Sequence, residues 1–124
     1  MGVAKAGDPA PAKPPLRQYE LWWAQMPDPM GRRPVLLLSR NPAYEYLTRV
    51  IVVEITSTIR SIPVEVSLGP AEGLRHRSVA NFDNVHVVAK ERLLSRIGAL
   101  KPRRVDEVKR ALGFSLDWPE LKEV

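Results

Sequence analysis

A chain of 124 residues can bury one hydrophobic core and is too short for two. It has no cysteine, which excludes a disulfide framework and thiolate chemistry, and with His76 and His86 as the sole histidines a structural zinc site is not expected. Lysine and arginine number 19 against 14 acidic residues, a formal charge of +5 that suits a polyanionic or acidic partner, and no apolar run reaches membrane-spanning length or signal-peptide form, so a cytoplasmic chain without a membrane partner is expected.

Residues 1–16, MGVAKAGDPAPAKPPL, hold four of the 12 prolines and no apolar period. Such a segment cannot bury enough apolar area to offset its ordering entropy and reads as a disordered leader, with the domain spanning 17–124. YELWWAQ (19–25) reads as a strand closed by the turn PDPMG. PVLLLS (34–39) reads as a second strand with its proline at the first position, followed by the irregular connection RNPAYEYLT. VIVVEIT (50–56) is β-branched and expected to be buried along most of its length. VEVSL (64–68) alternates, with Val64, Val66 and Leu68 inward, and GPAEGLRHR (69–77) is a turn-rich loop with a basic end. SVANFDNVHVV (78–88) is a further strand, on which period two places Asn81 and Asp83 on one face. KERLLSRIGAL (90–100) reads as a short helix and then a strand. KPRRVDEVKRALGF (101–114) reads as a helix started by Pro102, ended by Gly113 and striped inward by Val105, Val108 and Leu112. Short strands followed by a terminal helix predict a mainly β, mostly antiparallel small barrel with a helix packed on it.

The stretch MGRRPVLLLSR (30–40) sets two fixed positive charges at the mouth of an apolar strand. Side chains flip residue by residue along a strand, so Arg32 and Arg33 point to opposite sides. Taken alone, the pair reads as solvated charges guarding a strand edge. The order of segments adds a second reading. LWW with a proline-containing turn, GRRPVLLLS, VIVVEIT and the closing ERLLSRIGALKPRRVDEVKRALGFSL together resemble the MazF/PemK-type toxin family over residues 17 to 116.

The resemblance implies an SH3-like barrel of the CcdB/PemK type that forms a homodimer. It also implies a toxin that cuts single-stranded RNA at short sequences without metal or other cofactor, and a cognate antitoxin whose acidic tail covers the RNA groove. Arg33 before Pro34 matches the family's catalytic arginine, and Thr56 closing VVEIT its catalytic threonine. Asp83 in ANFDNV stands where some members place a catalytic acid. One departure is plain: members usually carry a longer first loop with a Gly/Ser–Glu–Gln-like stretch, whereas only AQMPDPMGR separates Trp23 from Arg33, without that loop's acidic or histidine helper.

The chemistry agrees with those roles. Metal-free RNA cleavage uses the adjacent 2′-hydroxyl as nucleophile and needs a proton acceptor, a proton donor and stabilisation of an anionic phosphorane. A guanidinium presents a planar fork of donors to two phosphate oxygens. A threonine hydroxyl at position 56 adds a donor, with Ser57 beside it. Guanidinium groups have reference pKa values above 12, so using one as base at pH 7 costs about 7 kcal/mol. A carboxylate is the more natural acceptor, which favours Asp83 as base and Arg33 as the phosphate grip. Arg32, Ser57, Asn81, Arg75 and Arg77 are the further RNA-contact candidates. One of Trp22 and Trp23 belongs to the core, the other stacking on a base or filling a dimer interface, and His86 reads as a hydrogen-bonded strand histidine. The competing readings are a CcdB-like gyrase poison, for which Trp118 speaks, and a barrel that binds nucleic acid without turnover.

Overall fold

The computed structural model describes residues 13–124; the part of the expected leader at 1–12 lies outside the described residues. Six strands, β1 (Glu20–Gln25), β2 (Arg32–Leu37), β3 (Arg49–Thr56), β4 (Glu65–Leu68), β5 (Ser78–Ala89) and β6 (Leu93–Ala99), form one sheet in the order β4-β5-β3-β2-β1-β6. Every neighbouring pair is antiparallel. A four-residue helix α1 (Ala43–Tyr46) stands in the connection that the sequence left irregular, and α2 (Val105–Ser115) and α3 (Pro119–Lys122) close the chain. Among the described residues no helix is long and apolar enough to cross a membrane.

Alternation along the strands builds a core on each face of the sheet. Inside the curl, Leu21, Leu36, Val53, Ile55, Ala80 and Phe82 pack with Val108 and Ala111 of α2. On the other face Trp22, Ala24, Val35, Leu37, Val50 and Val52 pack with Tyr44 of α1. With both faces covered, β3 buries Val50, Val52, Val53 and Ile55, which is why its sequence is nearly continuously aliphatic. Residues 13–16, the end of the expected leader, lie on the second core: Leu16 packs against it, and Lys13 Nζ donates to the carbonyls of Lys90 and Leu93 at 2.9 and 2.6 Å.

The curl is closed where β6 meets the turn after β4. A Cβ on Gly98 would stand 2.0 Å from the Glu72 carbonyl oxygen, and one on Gly73, at φ +96°, 2.4 Å from the Ile97 carbonyl oxygen. Two glycines thus let two backbones touch. Arg104 ties the same turn to the terminal helix, donating to Glu72 at 3.2 Å, to Glu107 at 2.8 Å and to the Ser67 carbonyl at 2.7 Å.

Three local expectations change. Strand β2 begins at Arg32, so Pro34 is its third residue; this is tolerated because pairing with β3 starts only at Val35↔Glu54, leaving the missing N–H outside that ladder. Helix α2 begins at Val105 after a 3-10 turn and runs past Gly113, which is buried under Leu121 of α3. Asn81 and Asp83 do not behave as neighbours on one face. Val53 pairs with Val85 and Ile55 with Ala80, so residues 81–84 of β5 stand against Glu54 alone. In this wide bulge the Asn81 side-chain oxygen accepts the Asp83 N–H at 2.9 Å; Asn81 is buried and Asp83 exposed.

Candidate active site

Both halves of the arginine-threonine pair come from strand ends. The turn before β2 is held by Met26 N–H donating to the Gly31 carbonyl at 2.9 Å, with Gly31 at φ +69°, a conformation that favours glycine. It delivers Arg33 exposed, its Nε donating to the Met30 carbonyl at 2.9 Å. The last residues in β2–β3 register are Val35 and Glu54. Pairing ends there: Arg33 stands two residues before Val35 and Thr56 two residues after Glu54, so both leave the ladder from facing strand ends.

Beside Thr56 is a polar recess of about 190 Å³ lined by Glu54, Thr56, Thr58, Arg60, Asn81 and Asn84. Its walls are organised locally. The Thr56 hydroxyl accepts the Thr58 N–H at 3.1 Å, and the Glu65 carboxylate accepts the N–H groups of Arg60 and Ser61, the latter at 2.8 Å, shaping the connection after β3. Glu54 faces His86, whose Nε2 lies 3.2 Å from Oε2. A recess of hydroxyls, amides, a carboxylate and the Arg60 guanidinium has the groups to hold a phosphodiester and move a proton.

The other predicted residues divide between the two sides of the sheet. Pro34 and Ser57, each one step beyond the arginine and the threonine, line a cavity of about 410 Å³ with Trp23, Leu74, Arg75 and His76. Trp23, 37% exposed, forms its apolar wall, while Trp22 is fully buried. Arg32 stacks its guanidinium on the Trp23 ring. Arg77 is exposed on the loop before β5 and does not line this cavity. The structure therefore gathers Thr56 and Asn81 in the recess, and Ser57 and Arg75 in the cavity with Arg32 on its Trp23 wall, while Arg33 is exposed at the strand end and lines neither space. Asp83 lines neither space.

Glu54, Thr58, Arg60 and Asn84 were missed from sequence. Glu54 carried a signal, as the one charged residue inside VIVVEIT; a half-buried carboxylate in an aliphatic strand wants a polar partner, and His86 supplies it.

The chain is similar to known proteins over most of its length. The family described as PemK-like, MazF-like toxin of type II toxin-antitoxin system matches residues 17–116. The probable endoribonuclease MazF5 of Mycobacterium tuberculosis (strain ATCC 25618 / H37Rv) is 38% identical over 99 residues, 79% of this chain and 90% of its own. The solved structure of the Mycobacterium tuberculosis toxin MazF-mt6 is similar with a TM-score of 0.75 at 32% identity, covering 79% of this chain and 96% of that one. An endoribonuclease from a Mycobacterial species, solved in complex with its cognate antitoxin, gives a TM-score of 0.73 at 26% identity over 84% of this chain and 97% of its own. With the family matched across 17–116 and the six-stranded curled sheet in common, the chain belongs to the PemK-like, MazF-like toxins of type II toxin–antitoxin systems.

Proposed function

We propose that this toxin is an endoribonuclease that cuts single-stranded RNA at short sequences without a metal ion, the 2′-hydroxyl attacking the neighbouring phosphorus. The observation that supports the reading is a polar recess lined by Thr56, with Arg33 exposed on the adjacent strand two residues beyond the last β2–β3 pair. The Arg33 fork grips two phosphate oxygens and the Thr56 hydroxyl donates to the same group as charge builds on the phosphorane. RNA then passes the strand ends, with Arg32, Ser57 and Arg75 meeting it on the far side and Asn81 in the recess. The relatives named above are endoribonucleases, which sets aside the gyrase-poison reading.

The partners follow from surface chemistry. A cognate antitoxin with an acidic tail matches the arginines at positions 32, 33, 75 and 77, all exposed. A second copy of the chain matches an apolar surface: Ile51 pairs with Val87, and both are exposed with Val85. Phe114 and Leu116, also exposed, flank Ser115, whose hydroxyl donates to the Phe82 carbonyl at 2.8 Å and so joins the end of α2 to the same strand. An RNA substrate and a cognate antitoxin fit a cytoplasmic location.

The test is incubation of purified toxin with RNA in EDTA. Cleavage is expected to persist, to disappear in Arg33→Ala and to fall strongly in Arg33→Lys, which keeps the charge but loses the fork. Wild-type rates in Arg33→Ala would refute the assignment.

A further inference from the structure

The RNA-cleaving reading leaves one role open, the group that takes the 2′-hydroxyl proton. Arg33 is an arginine, and guanidinium groups resist deprotonation near neutrality at a cost of about 7 kcal/mol. Thr56 is neutral, and Asp83 is exposed outside the recess. The carboxylate in the recess wall is Glu54.

Three strands converge on it. Glu54 pairs with Val35 of β2, whose second neighbour on the same face is Arg33. Thr56 follows two residues later on β3, again on that face. His86 of β5 pairs with Val52 and reaches Glu54 Oε2 at 3.2 Å. Beyond His86, the bulge that sets residues 81–84 against Glu54 brings Asn81 and Asn84 into the same recess. Among the described residues Oε1 takes no hydrogen bond, which leaves it to accept a proton. The side chain of Glu54 is 19% exposed and that of His86 32%, so both are open to a substrate while held by the sheet.

We propose that Glu54 is the general base of this toxin and that His86 is its positioning residue; this rests on the reading of Arg33 and Thr56 as the phosphate grip. The 2′-hydroxyl gives its proton to Glu54 Oε1 as the 2′-oxygen–phosphorus bond forms. The bond from phosphorus to the 5′ oxygen then breaks, and that oxygen takes a proton from water at the mouth of the recess. The products are a 2′,3′-cyclic phosphate and a 5′-hydroxyl, and Glu54 returns its proton to solvent. Transfer moves negative charge from Glu54 to the phosphorane, where Arg33 stands, so like-charge repulsion between carboxylate and phosphate falls as the reaction proceeds. The titratable and charged groups around Glu54 are His86 on β5 and Arg60 on the connection after β3, with Arg33 two residues before Glu54's strand partner Val35.

The experiment measures single-turnover cleavage of a short RNA in EDTA against pH for the wild type, Glu54→Gln, His86→Gln, His86→Ala, Asp83→Asn and Arg33→Ala. Each protein is also tested for binding to the same oligonucleotide carrying a 2′-deoxy sugar at the cut. Glu54→Gln is expected to cut about 10²- to 10⁴-fold more slowly, to lose the acid limb of the profile and to bind the uncleavable strand like the wild type. His86→Gln, which keeps a donor, is expected to retain most of the rate, and His86→Ala to lower the single-turnover rate at saturating protein while binding the uncleavable strand like the wild type. The proposal is overturned if Glu54→Gln keeps its rate and acid limb while Arg33→Ala is inactive, or if the acid limb vanishes in Asp83→Asn instead. Full activity in Arg33→Ala would remove the phosphate grip and this assignment with it.

Discussion

The guanidinium carbon of Arg32 lies 5.6 Å from the centre of the Trp23 ring, so one arginine of the pair at the mouth of β2 is paired with an aromatic platform, not left merely solvated. Its neighbour Arg33 is exposed, with its Nε donating to the Met30 carbonyl at 2.9 Å. Cation–π contact holds Trp23 as a flat wall of a cavity whose rim carries Arg75 and His76. A base stacked on such a wall contributes about 1–3 kcal/mol. Trp23→Ala is therefore expected to weaken binding of single-stranded RNA roughly 5- to 150-fold while leaving the melting temperature nearly unchanged, since the ring is partly exposed. Fluorescence anisotropy with a labelled uncleavable RNA measures it, and unchanged affinity would show that the cavity takes no base.

The exposed pair Ile51 and Val87 makes a second prediction. A carboxylate buried without a partner in a subunit interface costs several kcal/mol. Val87→Asp should leave a folded chain, judged by far-ultraviolet circular dichroism, that sediments as a monomer at concentrations where the wild type is a dimer. A dimer of wild-type stability would place the interface elsewhere.

Acid should loosen the first turn of α2, where Arg104 pairs with Glu107 three residues on. The hydrogen bond from Arg104 holds the Glu107 carboxyl below its ordinary value of 4.5, and the same contact raises the Arg104 guanidinium. A carboxyl depressed in the folded state binds its proton more weakly there than in the unfolded chain. Its stabilisation is thus complete above about 4.5 and is lost as pH falls through the lower folded value. Glu107 is substantially exposed, so its share is small. Removing Arg104 also leaves the buried Glu72 without its charge partner. Arg104→Ala is expected to cost about 2–4 kcal/mol at neutral pH and to flatten the acid slope of the melting temperature. Differential scanning calorimetry from neutral to acid pH checks both.

Closure of the curl depends on Gly98. A methyl group there would stand 2.0 Å from the Glu72 carbonyl oxygen, and backbone cannot rotate away as a side chain can. Gly98→Ala should cost about 2 kcal/mol or more, read as a lower denaturation midpoint in urea. Because β6 would be pushed from the turn that leads into Arg75, RNA affinity should fall in step; a neutral substitution would mean that the contact is loose.

Much of this was legible from residues alone because it depends on local pattern. Period-two alternation in VEVSL and β-branched bias in VIVVEIT reveal strands wherever neighbours lie in the chain, and Val66, Leu68 and Ile55 are buried as the pattern requires. The association of Arg33 with Thr56 came through family likeness, since the two residues are 23 positions apart and neither strand's pattern points to the other. The short helix α1 was invisible because four residues carry no period.

The sequence by itself determined that the chain is one mainly β domain with a terminal helix, that Arg32 and Arg33 diverge, and that one tryptophan of the pair is core, since these follow from the geometry of a single extended strand. Tertiary structure decided which tryptophan, brought Glu54 against His86 across 32 residues of separation, and split Asn81 from Asp83. The reason is that a bulge and a sheet register are properties of two strands together: how many residues of β5 stand against one of β3 depends on how the sheet coils to close, and no single strand's alternation contains that number.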